Sequence, residues 1–221
     1  MDDKIKIGIF GDSQASLKFR EDYISWVDIL KLKYNIINYA EPGSSLFFSF
    51  QKFIKFYKYF DKIIFLVTSY DRLLLPNHSA LTLLEAGKNR RYPDGIISYH
   101  AKSNTEEGVP FYKENVPILD AIKKYYVYIH NEEKELCFSN LMIEEMKRIR
   151  PDGLYYNFWS WTIKEDIFYK VSGKNDLRPC HLTETNNKNM ARYIIDWIDN
   201  KNGDMDSYYS DPIDLYGRYF S

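Results

Sequence analysis

The feature that most constrains the fold of this chain is an unbroken apolar run at residues 63–67, Ile-Ile-Phe-Leu-Val. An apolar run of this length, without alternating polar residues, is typical of a parallel strand that is buried on both faces. Further strands are predicted at residues 5–10, 34–38 and 154–158. We therefore expect a sheet whose central strands are covered on both sides.

Helical patterns separate these predicted strands. Apolar residues recur at helical spacing after the first strand, and the segment 46–60 is predicted to be an aromatic-rich helix. Two more helical patterns cover residues 115–131 and 132–149, and a last helix is predicted to begin near Thr183 as its N-cap. It would carry Met190, Ile194 and Ile198 on one face. The alternating order predicts an α/β fold with a central parallel sheet and right-handed crossovers.

The length of the chain sets the expected domain organisation. With 221 residues, of which 45% are hydrophobic, the chain can bury a full core, so we expect a single domain over residues 1–200. Residues 73–112 show little periodicity, which favours a long functional loop or lid inserted in that domain. Residues 201–221 are polar and aromatic without a core pattern and are predicted to be a C-terminal tail.

Charge and cysteine usage exclude several classes of function. The formal net charge is −1, which argues against a nucleic-acid-binding surface or an electrostatic membrane anchor. The two cysteines, Cys137 and Cys180, form neither a disulfide framework nor a metal-binding spacing, so we expect no metal and no cofactor. No apolar run approaches a membrane span, and Met1 runs almost directly into the first strand. We therefore predict no signal peptide and a cytoplasmic location.

The tripeptide Gly11-Asp12-Ser13 directly follows the first predicted strand and indicates a catalytic function. A serine at the end of a buried strand, in a tight turn, is well placed to be a nucleophile, and the backbone N–H groups after it can bind an oxyanion. A histidine that can act as its base, His181, precedes the last predicted helix. Each motif also has a simpler interpretation, Gly-Asp-Ser as an ordinary turn and His181 as a capping or core residue.

Together these motifs resemble the SGNH/GDSL hydrolase superfamily, whose fold is a three-layer α/β/α sandwich around a parallel sheet, with flavodoxin-like topology. The resemblance implies that Ser13 is the nucleophile and His181 the base. Gly43, which follows the second strand and opens a helix, would supply an oxyanion-hole N–H together with that of Ser13. Asp12 would be structural, with its carboxylate bonded to N–H groups of the turn.

The sequence departs from the family pattern at two places. The family's oxyanion-hole asparagine is missing from Thr68-Ser69-Tyr70-Asp71-Arg72, where Tyr70, Ser69 or a backbone N–H would replace it as donor. The family's Asp-x-x-His is also absent. The nearest upstream carboxylate is Asp176, which either orients the histidine or leaves that task to a backbone carbonyl in a Ser–His dyad.

The resemblance implies two alternative functions. The first is a serine esterase that hydrolyses an acylated small molecule or glycan, for example by O-deacetylation. The second is a non-catalytic structural or glycan-recognition protein on the same fold. Arg178-Pro179-Cys180-His181, with Asn186-Asn187 after it, resembles SGNH-type proteins encoded by bacteriophages. That likeness implies association with a virion, with assembly or homo-oligomer formation through the aromatic tail.

Overall fold

The computed structural model describes residues 4–15, 24–41, 44–68, 72–73, 81–84, 96–99, 124–125, 128–129, 131–157, 182 and 184–201. Within these ranges lie seven strands: β1 (Lys6–Phe10), β2 (Asn35–Asn38), β3 (Lys62–Val67), β4 (Arg72–Leu73), β5 (Leu81–Leu84), β6 (Ile96–Tyr99) and β7 (Leu154–Asn157). The longer helices are α1 (Trp26–Lys33), α2 (Leu46–Phe56), α3 (Glu132–Ile149) and α4 (Glu184–Ile198).

Four of the strands form a parallel sheet in the order β2-β1-β3-β7. β1 lies between β2 and β3, with Ile7 opposite Ile36 on one side and Lys62 on the other. β7 pairs in parallel with the outer side of β3. The α/β fold with a parallel sheet predicted from the sequence is thereby confirmed.

Side chains along the central strands alternate between two buried clusters, as the two-residue period of a strand requires. Ile64 and Leu66 of β3 belong to one cluster, which also contains residues of α1 and α4. Ile63, Phe65 and Val67 belong to the other, which contains residues of α2 and α3. The apolar run that predicted this strand is therefore buried on both sides.

Polar side chains fix the starts of the helices. Ser25 accepts a hydrogen bond from the backbone N–H of Asp28, whose carboxylate accepts from the N–H of Ser25, so the two residues form a capping box. Ser45 caps α2 by accepting from the N–H of Phe48. For α4 the predicted N-cap, Thr183, lies outside the described residues. Its predicted apolar face is confirmed, because Met190, Ile194 and Ile198 are all buried.

The predicted helix over 46–60 is too long by four residues, because α2 ends at Phe56 and a 3₁₀ turn follows over Tyr57–Tyr59. The guanidinium of Arg150 binds the segment that follows the helix. It donates hydrogen bonds to the carbonyl oxygens of Tyr57 and Phe60, at 3.1 and 3.0 Å. These contacts join residues about 90 positions apart, which no local pattern reports.

The segment 73–112 contains strands that its weak periodicity did not predict. β4, β5 and β6 form an antiparallel sheet in that order. The strands are two to four residues long, too short to give a clear alternation in the sequence. The predicted lid function of this segment stays a prediction. The predicted tail, beyond Lys201, lies outside the described residues.

Candidate active site

Ser13 lies in a tight turn at the carboxyl end of β1. The turn is closed by two hydrogen bonds on Asp12, whose carbonyl oxygen accepts from the N–H of Ala15 at 3.1 Å. Its carboxylate accepts from the N–H of Gln14 at 3.0 Å, as predicted for a structural aspartate. Asp12 is buried, with 2% of its surface exposed, whereas Ser13 is half-buried. The hydroxyl of Ser13 is therefore carried by a turn whose backbone is held by these hydrogen bonds.

Gly11 makes this turn possible. Its φ is +141°, which side-chain-bearing residues rarely adopt, and a Cβ there would lie 2.9 Å from the carbonyl oxygen of Leu66 in β3. The chain therefore leaves β1 in contact with the backbone of the neighbouring strand. Only glycine fits at this position without strain.

The carbonyl oxygen of Gly11 is the centre of a buried polar cluster. It accepts a hydrogen bond from the N–H of Glu41 at 3.2 Å. The hydroxyls of Ser44 and Ser49 lie 2.8 and 3.2 Å from the same oxygen, and 3.2 Å from each other. Both serines are almost fully buried. The residues after β2 and the first turns of α2 thereby hold the start of the Ser13 turn.

A third strand joins the cluster through Thr68, the residue after β3. Its hydroxyl donates to the carbonyl oxygen of Ser44 at 3.0 Å. Residues that follow β1, β2 and β3 thus meet at one edge of the sheet. The chain adds β2 on one side of β1 and then β3 on the other side, so the strand order reverses at β1. Open α/β sheets usually bind ligands at the carboxyl edge next to such a reversal.

The far end of the turn is held by two further side chains. The indole Nε1 of Trp26, at the start of α1, donates to the carbonyl oxygen of Gln14 at 2.8 Å. The amide Nδ2 of Asn38, at the end of β2, donates to the carbonyl oxygen of Ala15. The backbone on both sides of Ser13 is therefore anchored by groups from other elements.

Asn187 connects α4 to the same region. Its Oδ1 accepts from the backbone N–H of Trp26 at 2.8 Å, and its Nδ2 donates to the carbonyl oxygen of Leu182 at 3.1 Å. Leu182 is buried in the same cluster as Ala15 and Trp26. The residue that precedes Leu182 in the chain is His181.

Of the predicted site residues, the structure describes Ser13 only. His181, Asp176, Gly43 and Tyr70 lie outside the described residues, so their predicted roles stay predictions. The described neighbours of Gly43 are Glu41 and Ser44, which are joined by a backbone hydrogen bond of 3.1 Å.

Sequence reasoning missed the residues that hold the turn. These are Ser44, Ser49, Thr68, Trp26, Asn38 and Asn187. One signal was available for Asn187, since asparagine in a helix interior disfavours the helix unless its side chain has a specific partner. For the serines the signal was weaker, because hydroxyl residues near a helix start are first interpreted as caps.

Asp152 and Tyr155, two groups whose pKa values are shifted, lie near the start of β7 and away from this edge. Arg150 and Asp152 precede β7, at the amino end of the strands, and their mutual hydrogen bonds lower the pKa of the Asp152 carboxyl. Burial raises the pKa of the Tyr155 phenol well above its ordinary value. This phenol lies against the carbonyl oxygens of Met146 and Arg150. These groups stabilise a loop junction.

No group of three or more metal-ligating side chains occurs within the described ranges. None of the helices described here is long and apolar enough to cross a membrane. Compared with known proteins, the chain matches no family model, and no curated protein matches it.

Proposed function

We propose that the chain is a serine esterase of the SGNH/GDSL type, with Ser13 as the nucleophile and His181 as its general base. The fold proposed with it is a three-layer α/β/α sandwich. In support, the two buried clusters take alternate residues of the central strands, and each cluster includes a different pair of helices.

One observation carries the proposal: the backbone around Ser13 is anchored on both sides at the carboxyl edge of the parallel sheet. Gly11, before the serine, is held through its carbonyl oxygen by Glu41 and by the buried hydroxyls of Ser44 and Ser49. Gln14, after it, is held by the indole of Trp26. A turn fixed in this way keeps a nucleophile in one position, which is the main requirement for efficient attack.

The proposed reaction is acyl transfer to Ser13 followed by hydrolysis. His181 takes the hydroxyl proton as the Ser13 oxygen bonds to the acyl carbon, and then gives this proton to the leaving alcohol as the ester bond breaks. Water, deprotonated by His181, then attacks the acyl-enzyme, and the proton returns to Ser13 as the carboxylic acid leaves. In this proposal Asp176 or a backbone carbonyl orients the imidazole.

The negative charge of the tetrahedral intermediate needs hydrogen-bond donors. The proposed donors are the N–H groups of Ser13 and Gly43, with the hydroxyl of Tyr70 replacing the family's asparagine. Removal of one such donor typically lowers kcat by about 10²–10³-fold.

The proposed substrate class is an ester of a small acid, with O-acetyl groups on a glycan as the candidate. In this proposal the protein of a phage acts on the virion, where the O-acetyl groups of host surface polysaccharides are the ester substrates. Assembly through the tail, residues 201–221, is part of the same proposal.

The function is tested by hydrolysis of p-nitrophenyl acetate with the wild-type protein, Ser13→Ala and His181→Ala. Ser139→Ala is the matched control, because this serine lies on α3 and takes part in none of the hydrogen bonds described above for the Ser13 turn. The proposal expects turnover by the wild type and the control and its loss in both site variants. A folded wild-type protein without turnover contradicts the proposal and favours a non-catalytic recognition or structural protein on this fold.

A further inference from the structure

The geometry around Asn187 points to a role beyond helix packing. We propose that Asn187 is a positioning residue, which holds the segment carrying His181 against the turn carrying Ser13. This inference rests on the proposed esterase function. It gives a role to Asn187, which the family resemblance included as a motif residue without a function.

Asn187 makes a pair of hydrogen bonds to residues of two different segments. Its Oδ1 accepts from the N–H of Trp26, 161 residues earlier, at 2.8 Å. Its Nδ2 donates to the carbonyl oxygen of Leu182 at 3.1 Å. One amide group therefore joins the start of α1 to the residue directly after His181.

The indole of Trp26 extends this connection to the residue after Ser13. Trp26 is fully buried, and its Nε1 donates to the carbonyl oxygen of Gln14 at 2.8 Å. Gln14 directly follows Ser13 in the chain. The path from Leu182 to Gln14 thus consists of three hydrogen bonds and two rigid, buried side chains, Asn187 and Trp26.

The two partners of Asn187 require both a donor and an acceptor at this position. Asparagine supplies both from one planar group. An aspartate of the same shape keeps the acceptor for Trp26, but its ionised carboxylate repels the carbonyl oxygen of Leu182. Alanine removes both bonds. Because Asn187 is 2% exposed, water cannot readily replace the lost partners.

The consequence for catalysis follows from adjacency in the chain. Leu182 and His181 share a peptide bond, so their Cα atoms are about 3.8 Å apart. A shift of Leu182 therefore moves the imidazole relative to the Ser13 hydroxyl. Misplacement of a reacting group by about 1 Å can cost roughly 10²-fold in rate. Substrate binding depends on other groups and should change little.

The test compares Asn187→Asp and Asn187→Ala with Lys188→Ala, an exposed neighbour on the same helix. Each protein is assayed with p-nitrophenyl acetate and with a fluorophosphonate, at a temperature where circular dichroism shows it folded. For both Asn187 variants we expect a fall of about 10–100-fold in kcat and in labelling rate, with KM within about two-fold. Lys188→Ala should match the wild type.

A second variant covers the case in which substitution of Asn187 prevents folding. Trp26→Phe keeps the backbone N–H that Asn187 binds and most of the aromatic volume, but loses the bond to Gln14. It should slow labelling in the same way. Hydrogen exchange of residues 11–15 and 182 should rise in each affected variant and stay unchanged in Lys188→Ala.

The outcomes separate the two proposals. If the wild type is labelled and Ser13→Ala is not, but Asn187→Asp and Trp26→Phe react at the wild-type rate, the positioning role is wrong and the esterase function stands. If these variants lose affinity for the substrate with kcat unchanged, the positioning role is also wrong. A folded wild type that neither turns over ester nor takes up the label overturns both proposals.

Discussion

The side-chain oxygen of Asn187 accepts a hydrogen bond of 2.8 Å from the backbone N–H of Trp26, near the start of α1. The two residues are 161 positions apart in the chain, and both are buried. This contact closes the fold on the side of the sheet that α1 and α4 cover. It also places the residue after His181 in the same buried region as the turn of Ser13.

The stability of the fold should depend on this contact. Asn187→Ala removes the partner of a buried N–H and one bond to the Leu182 carbonyl oxygen, so we expect a loss of about 2–4 kcal/mol in the free energy of unfolding. Urea denaturation followed by tryptophan fluorescence measures it. Lys188→Ala should change the stability by less than about 0.5 kcal/mol. A similar small change in Asn187→Ala would show that the contact does not stabilise the fold.

Gly11 should tolerate no side chain. Gly11→Ala places a Cβ 2.8 Å from the Cβ of Leu66 and 2.9 Å from its carbonyl oxygen, at a φ of +141°. We expect a loss of about 3–5 kcal/mol, from backbone strain and overpacking together. Thermal unfolding of the variant measures this loss.

Gly153→Ala is the control for Gly11. Its added Cβ would meet the ring of Tyr155, at 2.9 Å, and no backbone atom is among its nearest contacts. A side chain adjusts more easily than a strand, so this substitution should cost less than Gly11→Ala. Equal losses in the two variants would argue against the special backbone conformation of Gly11.

The two buried serines near the start of α2, Ser44 and Ser49, should support the Gly11 carbonyl oxygen redundantly. Ser44→Ala and Ser49→Ala should each cost about 1–2 kcal/mol, because in each variant one hydroxyl still reaches that oxygen. The double variant should cost at least about 0.5 kcal/mol more than the sum. Denaturant unfolding of all four proteins gives this double-mutant cycle. Strict additivity would mean that the hydroxyls act independently.

Acid should weaken the junction between α3 and β7. The Arg150 guanidinium, bonded at 2.9 and 3.0 Å to the Asp152 carboxylate, lowers the pKa of that carboxyl below its ordinary value of 3.8. Asp152 therefore stabilises the fold above about pH 4, and this contribution is lost as the pH falls through the lowered folded-state pKa. The unfolding midpoint in urea should drop over that acidic range.

Asp152→Asn tests the origin of this pH dependence. The amide cannot ionise, so the variant should be less stable than the wild type at neutral pH, and the difference should shrink on acidification below about pH 4. A difference between the two proteins that stays constant with pH would contradict the assignment.

The central strands could be predicted from the sequence because a strand buried on both faces consists almost entirely of apolar residues. Ile63 to Val67 has no polar residue, and β3 is covered on both sides. The position of Ser13 at the end of β1 followed from the same reasoning. Strand starts at Lys6 and Asn35 differ from the predictions by one residue. Tyr34, predicted to begin β2, is instead the C-cap of α1 and donates its N–H to Leu30.

The remaining features depend on contacts that are distant in the sequence. The carbonyl oxygen of Tyr57, just after α2, accepts from Arg150, and Asn187 accepts from the N–H of Trp26. Neither contact produces a local sequence pattern, because the partners are 93 and 161 positions apart in the chain. The antiparallel pairing of Leu81–Leu84 with Ile96–Tyr99 likewise depends on contacts between two short segments that are separated in the sequence.

The most direct test of the account is to find which residue a fluorophosphonate modifies. Trypsin releases residues 7–18 as one peptide, which contains Ser13 and Ser16, and fragmentation in the mass spectrometer distinguishes the two. The account predicts one adduct, on Ser13, that is absent from Ser13→Ala and forms far more slowly in His181→Ala. No adduct on the folded wild type, or one that persists in Ser13→Ala, would contradict the proposal that Ser13 is a catalytic nucleophile.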